Sequence, residues 1–106
     1  MRTLEFVVDQ QRARKSPYCS FSGLVAGSVG YLRAKFKFSE EWTGLKKAAS
    51  FWVGDEEYGA LLDSDDSCDI PEEVTKHECF EVSVTGMDNN GKYIPTTKTK
   101  VVQEVQ

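Results

Sequence analysis

Apolar and polar residues alternate through most of the chain, and a helical period is hard to find. In "YLRAKFKF" the residues Leu32, Ala34, Phe36 and Phe38 share one face, while Tyr31, Arg33, Lys35 and Lys37 share the other. Side chains two apart on an extended chain point the same way, so the segment reads as a strand with one dry and one wet face. "LEFVVD" aligns Leu4, Phe6 and Val8, "AASFWV" aligns Ala49, Phe51 and Val53, and "FEVSV" aligns Phe80, Val82 and Val84. "GALLD" and "KTKVVQEV" add two candidates. "GLVAGSVG" is a weaker one, because its three glycines weaken a strand interior.

Breakers rich in Gly, Asp, Asn and Ser separate these segments: "SPYCS", "WVGDEEYG", "DSDDS" and "DNNGK". Asn90-Gly91 predicts a two-residue hairpin turn, since both residues tolerate positive φ. Only "PEEVTK", with Pro71 at a first helical position and acids behind it, predicts a helical turn. About seven to eight short strands in 106 residues predict a single domain, 1–106. The fold class is all-β, an antiparallel β-sandwich of Ig-like or jelly-roll-like kind.

Composition supports a folded globule: 40% of residues are hydrophobic, with six Phe, four Tyr and two Trp. No run approaches the roughly 18 to 20 apolar residues that cross a bilayer, and "MRTLEFVVDQ" turns charged too early for a signal peptide. The expectation is a soluble chain, without membrane insertion, that starts at its native methionine. Cys19, Cys68 and Cys79 are odd in number and lack CxxC spacing, so they are expected as reduced structural thiols of a protein made in a cytoplasm. The single His77, in the polar turn "TKHE", reads as a solvated loop residue.

The net charge of −4 divides unevenly. Residues 1–53 hold nine Lys/Arg against four Asp/Glu (+5), and residues 54–106 hold four against thirteen (−9). A larger acidic surplus beside the cations argues against nucleic acid as partner. The favoured account is pairing of the two halves inside one sandwich, and the other is attraction between copies of the chain.

Few segments resemble catalytic machinery. "DSDDSCD" spaces Asp63, Asp65, Ser67 and Asp69 like the start of a calcium loop, but the sixth and twelfth places hold Cys68 and Val74 instead of Gly and Glu. It reads as a solvated hairpin turn. The doublets Glu40-Glu41, Glu56-Glu57 and Glu72-Glu73 cannot work as an acid and base pair, since neighbours on a strand point to opposite faces. The chain has no phosphate-binding glycine loop and no GxSxG elbow. A non-enzymatic binding or assembly role, without cofactor or metal, is the expectation.

Trp42 lies on the polar connection "FSEEWTGL" and is expected to turn inward and cap an open end of the sandwich. Trp52 is out of phase with Ala49, Phe51 and Val53, which makes it a surface or interface candidate. With Tyr31, Tyr58 and Tyr93 it would supply a stacking platform if the domain recognised a host cell-wall glycan. Val7 and Val102 fall out of phase with the inward sets, and are candidate apolar anchors on strands at either end of the chain that could lie at sheet edges.

The ordered run "FKFSEEWTGLKKAASFWV", then "CDIPEEV", "FEVSVTG" and "YIPTTKTKVV", resembles a recurring small β-domain. That domain is found in tail, baseplate and other structural proteins of phages and prophages of Gram-positive bacteria. The resemblance spans residues 30–102 and rests on framework positions, among them Phe36, Trp42, Gly44, Cys68, Pro71 and Gly86. It implies a virion building block, made in the bacterial host cytoplasm, whose partners are other virion proteins and further copies of itself. In that family the module often heads a longer protein, whereas this chain stops at "VVQEVQ". Recognition of a host-surface glycan is the alternative function.

Overall fold

The alternating segments form strands where their apolar faces can meet. A computed structural model describes residues 1–106, with nine strands: β1 (Arg2–Asp9), β2 (Arg12–Lys15), β3 (Leu32–Phe38), β4 (Lys46–Val53), β5 (Glu56–Leu61), β6 (Ser67–Asp69), β7 (Cys79–Met87), β8 (Tyr93–Pro95) and β9 (Thr99–Val102). They make a two-sheet β-sandwich. One sheet has the order β2-β1-β3-β6, and the other has β5-β4-β7 with β8 and β9 sharing the far side of β7.

The inward sets are those read from period two. Leu4, Phe6, Val8, Leu32, Ala34 and Phe36 from the first sheet are buried against Ala49, Phe51, Phe80, Val82 and Val84 from the second. Each large side chain removed from water in this way stabilises the fold by roughly 1.5–3 kcal/mol. A row of rings runs along the first sheet: Phe6 stacks on Phe36 at 5.3 Å, Phe36 on Phe38 at 6.0 Å, and Phe38 meets Trp42 at 5.1 Å.

Trp42 ends this row as a core plug. It sits on a short 3-10 turn, Glu40–Trp42, and is 0% exposed. Its indole Nε1 donates to the Gln10 carbonyl at 2.8 Å, which ties the β1–β2 turn to the β3–β4 connection. The expectation from its polar surroundings holds because the ring turns under the connection and its one polar atom finds a partner.

Several expectations are corrected. The sandwich is mixed, since β1 and β3 run parallel with Leu4 beside Ala34 and Phe6 beside Phe36. That pairing puts β1 in the interior of its sheet, so Val7 does not lie on an edge strand. β2 was not expected at all; its "RARK" sequence has one apolar residue, Ala13, and no visible alternation. "WVGDEEYG" is mostly strand, because Gly54 at φ 59° and Asp55 suffice to turn the chain and Glu56–Tyr58 pair with β4. "DSDDS" crosses from β5 in the second sheet to β6 in the first, and is not a hairpin. "GLVAGSVG" contributes a single bridge, Val25 to Glu104. The β7–β8 hairpin closes over residues 88–92, where the Asp88 carboxylate accepts from the amides of Asn90 and Lys92, and only Gly91 takes positive φ. The helical turn is Glu72–Thr75, with Pro71 at its cap position.

Part of the uneven charge is paired inside the fold, through two of the nine cations of the first half. All three ion pairs join the basic half to the acidic half: Arg33 with Asp63 (2.9 Å) and Asp69 (2.7 Å), and Lys47 with Asp66 (3.3 Å).

Candidate functional site

The outer face of the second sheet carries the features least explained by folding. Register fixes its members. Across the strands, Leu61 lies beside Ala48, Ala48 beside Thr85, and Thr85 beside Pro95; in the next row Lys46 lies beside Met87 and Met87 beside Tyr93. These residues alternate with the buried set, so their side chains point away from the core. Leu61 is 79% exposed, Tyr93 58% and Met87 50%. Lys46, Ala48, Leu61, Thr85 and Met87 line a shallow, mainly apolar depression on this face.

The middle of the same face is polar and closed. Trp52 lies beside Glu57 on one side and Glu81 on the other. Its Nε1 donates to the Ser83 hydroxyl at 2.9 Å, and Lys98 Nζ sits 3.8 Å above its ring. Ser50, also on this face, is buried and donates to Glu57. The indole is therefore half-buried, with one polar atom satisfied and one face covered by a cation. Beyond it, Val102 on β9 is 58% exposed and pairs with Cys79 on the same face.

Trp52, Tyr93 and Val102 share this face, while the other candidates lie elsewhere. Tyr58 pairs with Phe51, and is half-buried against the core at the side of the sandwich. Its hydroxyl donates to Glu56 at 2.7 Å, and that bond, with burial and the charges of Glu56 and Glu73, raises its pKa above the ordinary tyrosine value. Tyr31 precedes β3 in the first sheet, where its carbonyl accepts from the Arg2 amide. Val7 is half-buried on the outer face of the first sheet, between Arg14 and Lys37. The four aromatic residues do not form one stacking platform, because alternation and sheet membership separate Tyr31 and Tyr58 from Trp52 and Tyr93.

Sequence reasoning passed over Leu61 and Met87. Met87 carried a usable signal, since it is in phase with the polar set Glu81, Ser83 and Thr85. Leu61 did not, because "ALL" contains no alternation from which a phase can be read.

The acidic connection before β6 is occupied by protein cations and hydroxyls. Arg33 donates to Asp63, Asp69 and the Ser67 hydroxyl, Ser67 donates to Asp65, and Lys47 donates to Asp66. The Ser67 hydrogen bond holds the Asp65 carboxyl below its usual range, against the opposing effect of burial. The three thiols are free and far from equivalent: Cys68 is buried, Cys19 half-buried and Cys79 exposed. His77 is exposed.

No family model matches the chain, and no curated protein matches it. Two solved structures are similar in shape. One is a Ca2+-stabilized adhesin with which an Antarctic bacterium reaches out and binds ice, at 16% identity and a TM-score of 0.45 over 61% of this chain. The chain spans 16% of that protein's length. The other is a bacterial immunoglobulin-like domain from the M. primoryensis ice-binding adhesin, at 12% identity and a TM-score of 0.45, covering 98% of this chain and 96% of that one.

Proposed function

We propose that this domain is a non-enzymatic structural module of a phage or prophage particle, in a tail, baseplate or capsid, working through contacts with other virion proteins and with copies of itself. The observation that carries the reading is the group Leu61, Met87 and Tyr93 in two neighbouring cross-strand rows, large apolar side chains left in water on one sheet face. Single exposed apolar residues are ordinary, but grouped ones rimmed by polar residues mark surfaces that are covered in an assembly. The resemblance of residues 30–102 to phage structural domains supports the same reading. Recognition of a cell-wall glycan has less support, since Lys98 already occupies a face of Trp52.

The test is light scattering on the purified chain at rising concentration, together with pull-down on purified particles. The expected result is association with itself or with a particle protein. A strict monomer that ignores particles and binds a cell-wall polysaccharide would replace this reading with the glycan one.

A further inference from the structure

The backbone at the four sides of the sandwich is not equally used. On β2, the outward amide of Ala13 donates to the Thr97 hydroxyl, and just before the strand the Gln11 carbonyl accepts from the Thr97 amide. On β6, the outward carbonyl of Ser67 accepts from the Asp63 amide. On β8, Pro95 has no amide hydrogen and its carbonyl accepts from the Gln11 side chain. Past the end of β9, Glu104 is tied in both directions to Leu24 and Ala26.

β5 differs. The Leu62 amide donates to the Lys47 carbonyl at 3.1 Å, which fixes the phase of the β4–β5 ladder. In an antiparallel pair the residues facing the partner alternate with those facing away. Ala60, Tyr58 and Glu56 therefore bond to β4, and the amides and carbonyls of Glu57, Gly59 and Leu61 point outward. All three residues are exposed. Such a row is a template for one more strand.

Side chains restrict what that strand can be. Asp55, Glu56 and Glu57 stand at the start of β5, and Leu61 is exposed at its end. A second copy of β5 is a poor fit: antiparallel pairing about Gly59 would set Asp55 of each copy opposite Asp63 of the other. We infer that β5 is a strand-docking edge for an extended segment of a partner protein, one that carries Lys or Arg opposite Glu57 and an apolar residue opposite Leu61. The segment bonds to the backbone of Glu57, Gly59 and Leu61 and lengthens the second sheet by one strand. This rests on the reading of the domain as a protein-binding module, and names the edge and chemistry that module uses.

The probe is the acetylated, amidated peptide Val-Thr-Lys-Thr-Lys-Thr, which antiparallel to β5 sets its first residue opposite Leu61 and its fifth opposite Glu57; it is titrated into the full isotope-labelled chain and followed by amide NMR. Shifts centred on Glu57, Gly59 and Leu61 are expected, with amide exchange at Gly59 and Leu61 slowed at least several-fold. Affinity should fall several-fold as salt rises from about 0.05 to 0.3 M, as expected for partly exposed charges. Gly59→Pro removes an outward amide without touching a β4 bond, and should abolish binding while the remaining spectrum keeps its dispersion. A peptide N-methylated at alternate residues provides the same test with the protein unaltered. Unperturbed β5 amides at millimolar peptide, equal binding of the N-methylated peptide, or a β5-to-β5 dimer without peptide would each overturn the inference. Leu61 belongs to both surfaces, but Gly59→Pro leaves the side chains of Leu61, Met87 and Tyr93 in place, so loss of peptide pairing and loss of particle binding are separately readable.

Discussion

Gly86 and Trp42 occupy one another's space. A Cβ on Gly86 would stand 2.7 Å from Cζ3 and 2.9 Å from Cε3 of the Trp42 ring, inside any real carbon–carbon contact. The glycine on β7 is the recess into which the plug of the β3–β4 connection fits. Gly86→Ala is expected to cost about 1–3 kcal/mol as an overpacking change, and Trp42→Ala about 3–5 kcal/mol. In urea unfolding, Trp42→Phe combined with Gly86→Ala should cost less than the two single changes added, because the smaller ring vacates the space the methyl needs. Strict additivity would show that the ring moves aside without resistance.

Burial pushes the Cys68 thiol up to about 12 from its ordinary value of 9.0. Because the folded value is the higher one, the neutral thiol's contribution is complete below about pH 9 and is lost as pH rises towards 12. Stability should fall across that window with a slope of up to about 1.4 kcal/mol per pH unit from this group, and Cys68→Ala should remove that component. At pH 8, iodoacetamide should label exposed Cys79 readily and Cys68 only on unfolding. Equal labelling of the two in the folded chain would contradict the burial of β6.

The carboxylates of the β5–β6 connection already hold Arg33 and Lys47, so a cation would have to displace them. The melting temperature should not respond to millimolar calcium or to EDTA. Reductant should leave it unchanged as well, since the thiols are free. A rise with calcium would mean that the loop opens and rearranges around the ion.

Gln103 anchors the segment after β9. Its buried Nε2 donates to the carbonyls of Thr75 and His77 at 2.9 and 2.8 Å, which fastens the helical turn Glu72–Thr75 to the chain's end. Gln103→Ala leaves the His77 carbonyl without a donor, while Thr75 keeps the Gly27 amide, and is expected to cost about 1–3 kcal/mol. Hydrogen exchange should show the residues around His77 opening more often than β4 and β7. Uniform protection loss would indicate that Gln103 acts on the whole sandwich.

On the outer face of the second sheet, Met87→Glu with Tyr93→Glu should leave chemical stability within about 0.5 kcal/mol, as surface changes do. The same pair should reduce self-association or particle binding in light scattering and pull-down. Unchanged association would move the contact to another surface.

The sequence by itself determined that this chain is a β-sandwich, because a period of two is a local property. Leu32, Ala34 and Phe36, or Phe80, Val82 and Val84, declare their common face without knowing what covers it. It also showed that Trp42 belongs inside, since one large ring on a polar connection has few other places to go. Only the tertiary structure decided which strands are neighbours, because pairing joins residues distant in sequence and alternation is the same for parallel and antiparallel partners. That is how β1 came to lie beside β3 and inside its sheet, and how β2, with nothing but Ala13 to bury, became a strand through its bonds to β1 and Thr97. The fate of Trp52 was likewise decided by contacts: phase put it on the outer face, and Ser83 and Lys98, 31 and 46 residues further along the chain, closed it there.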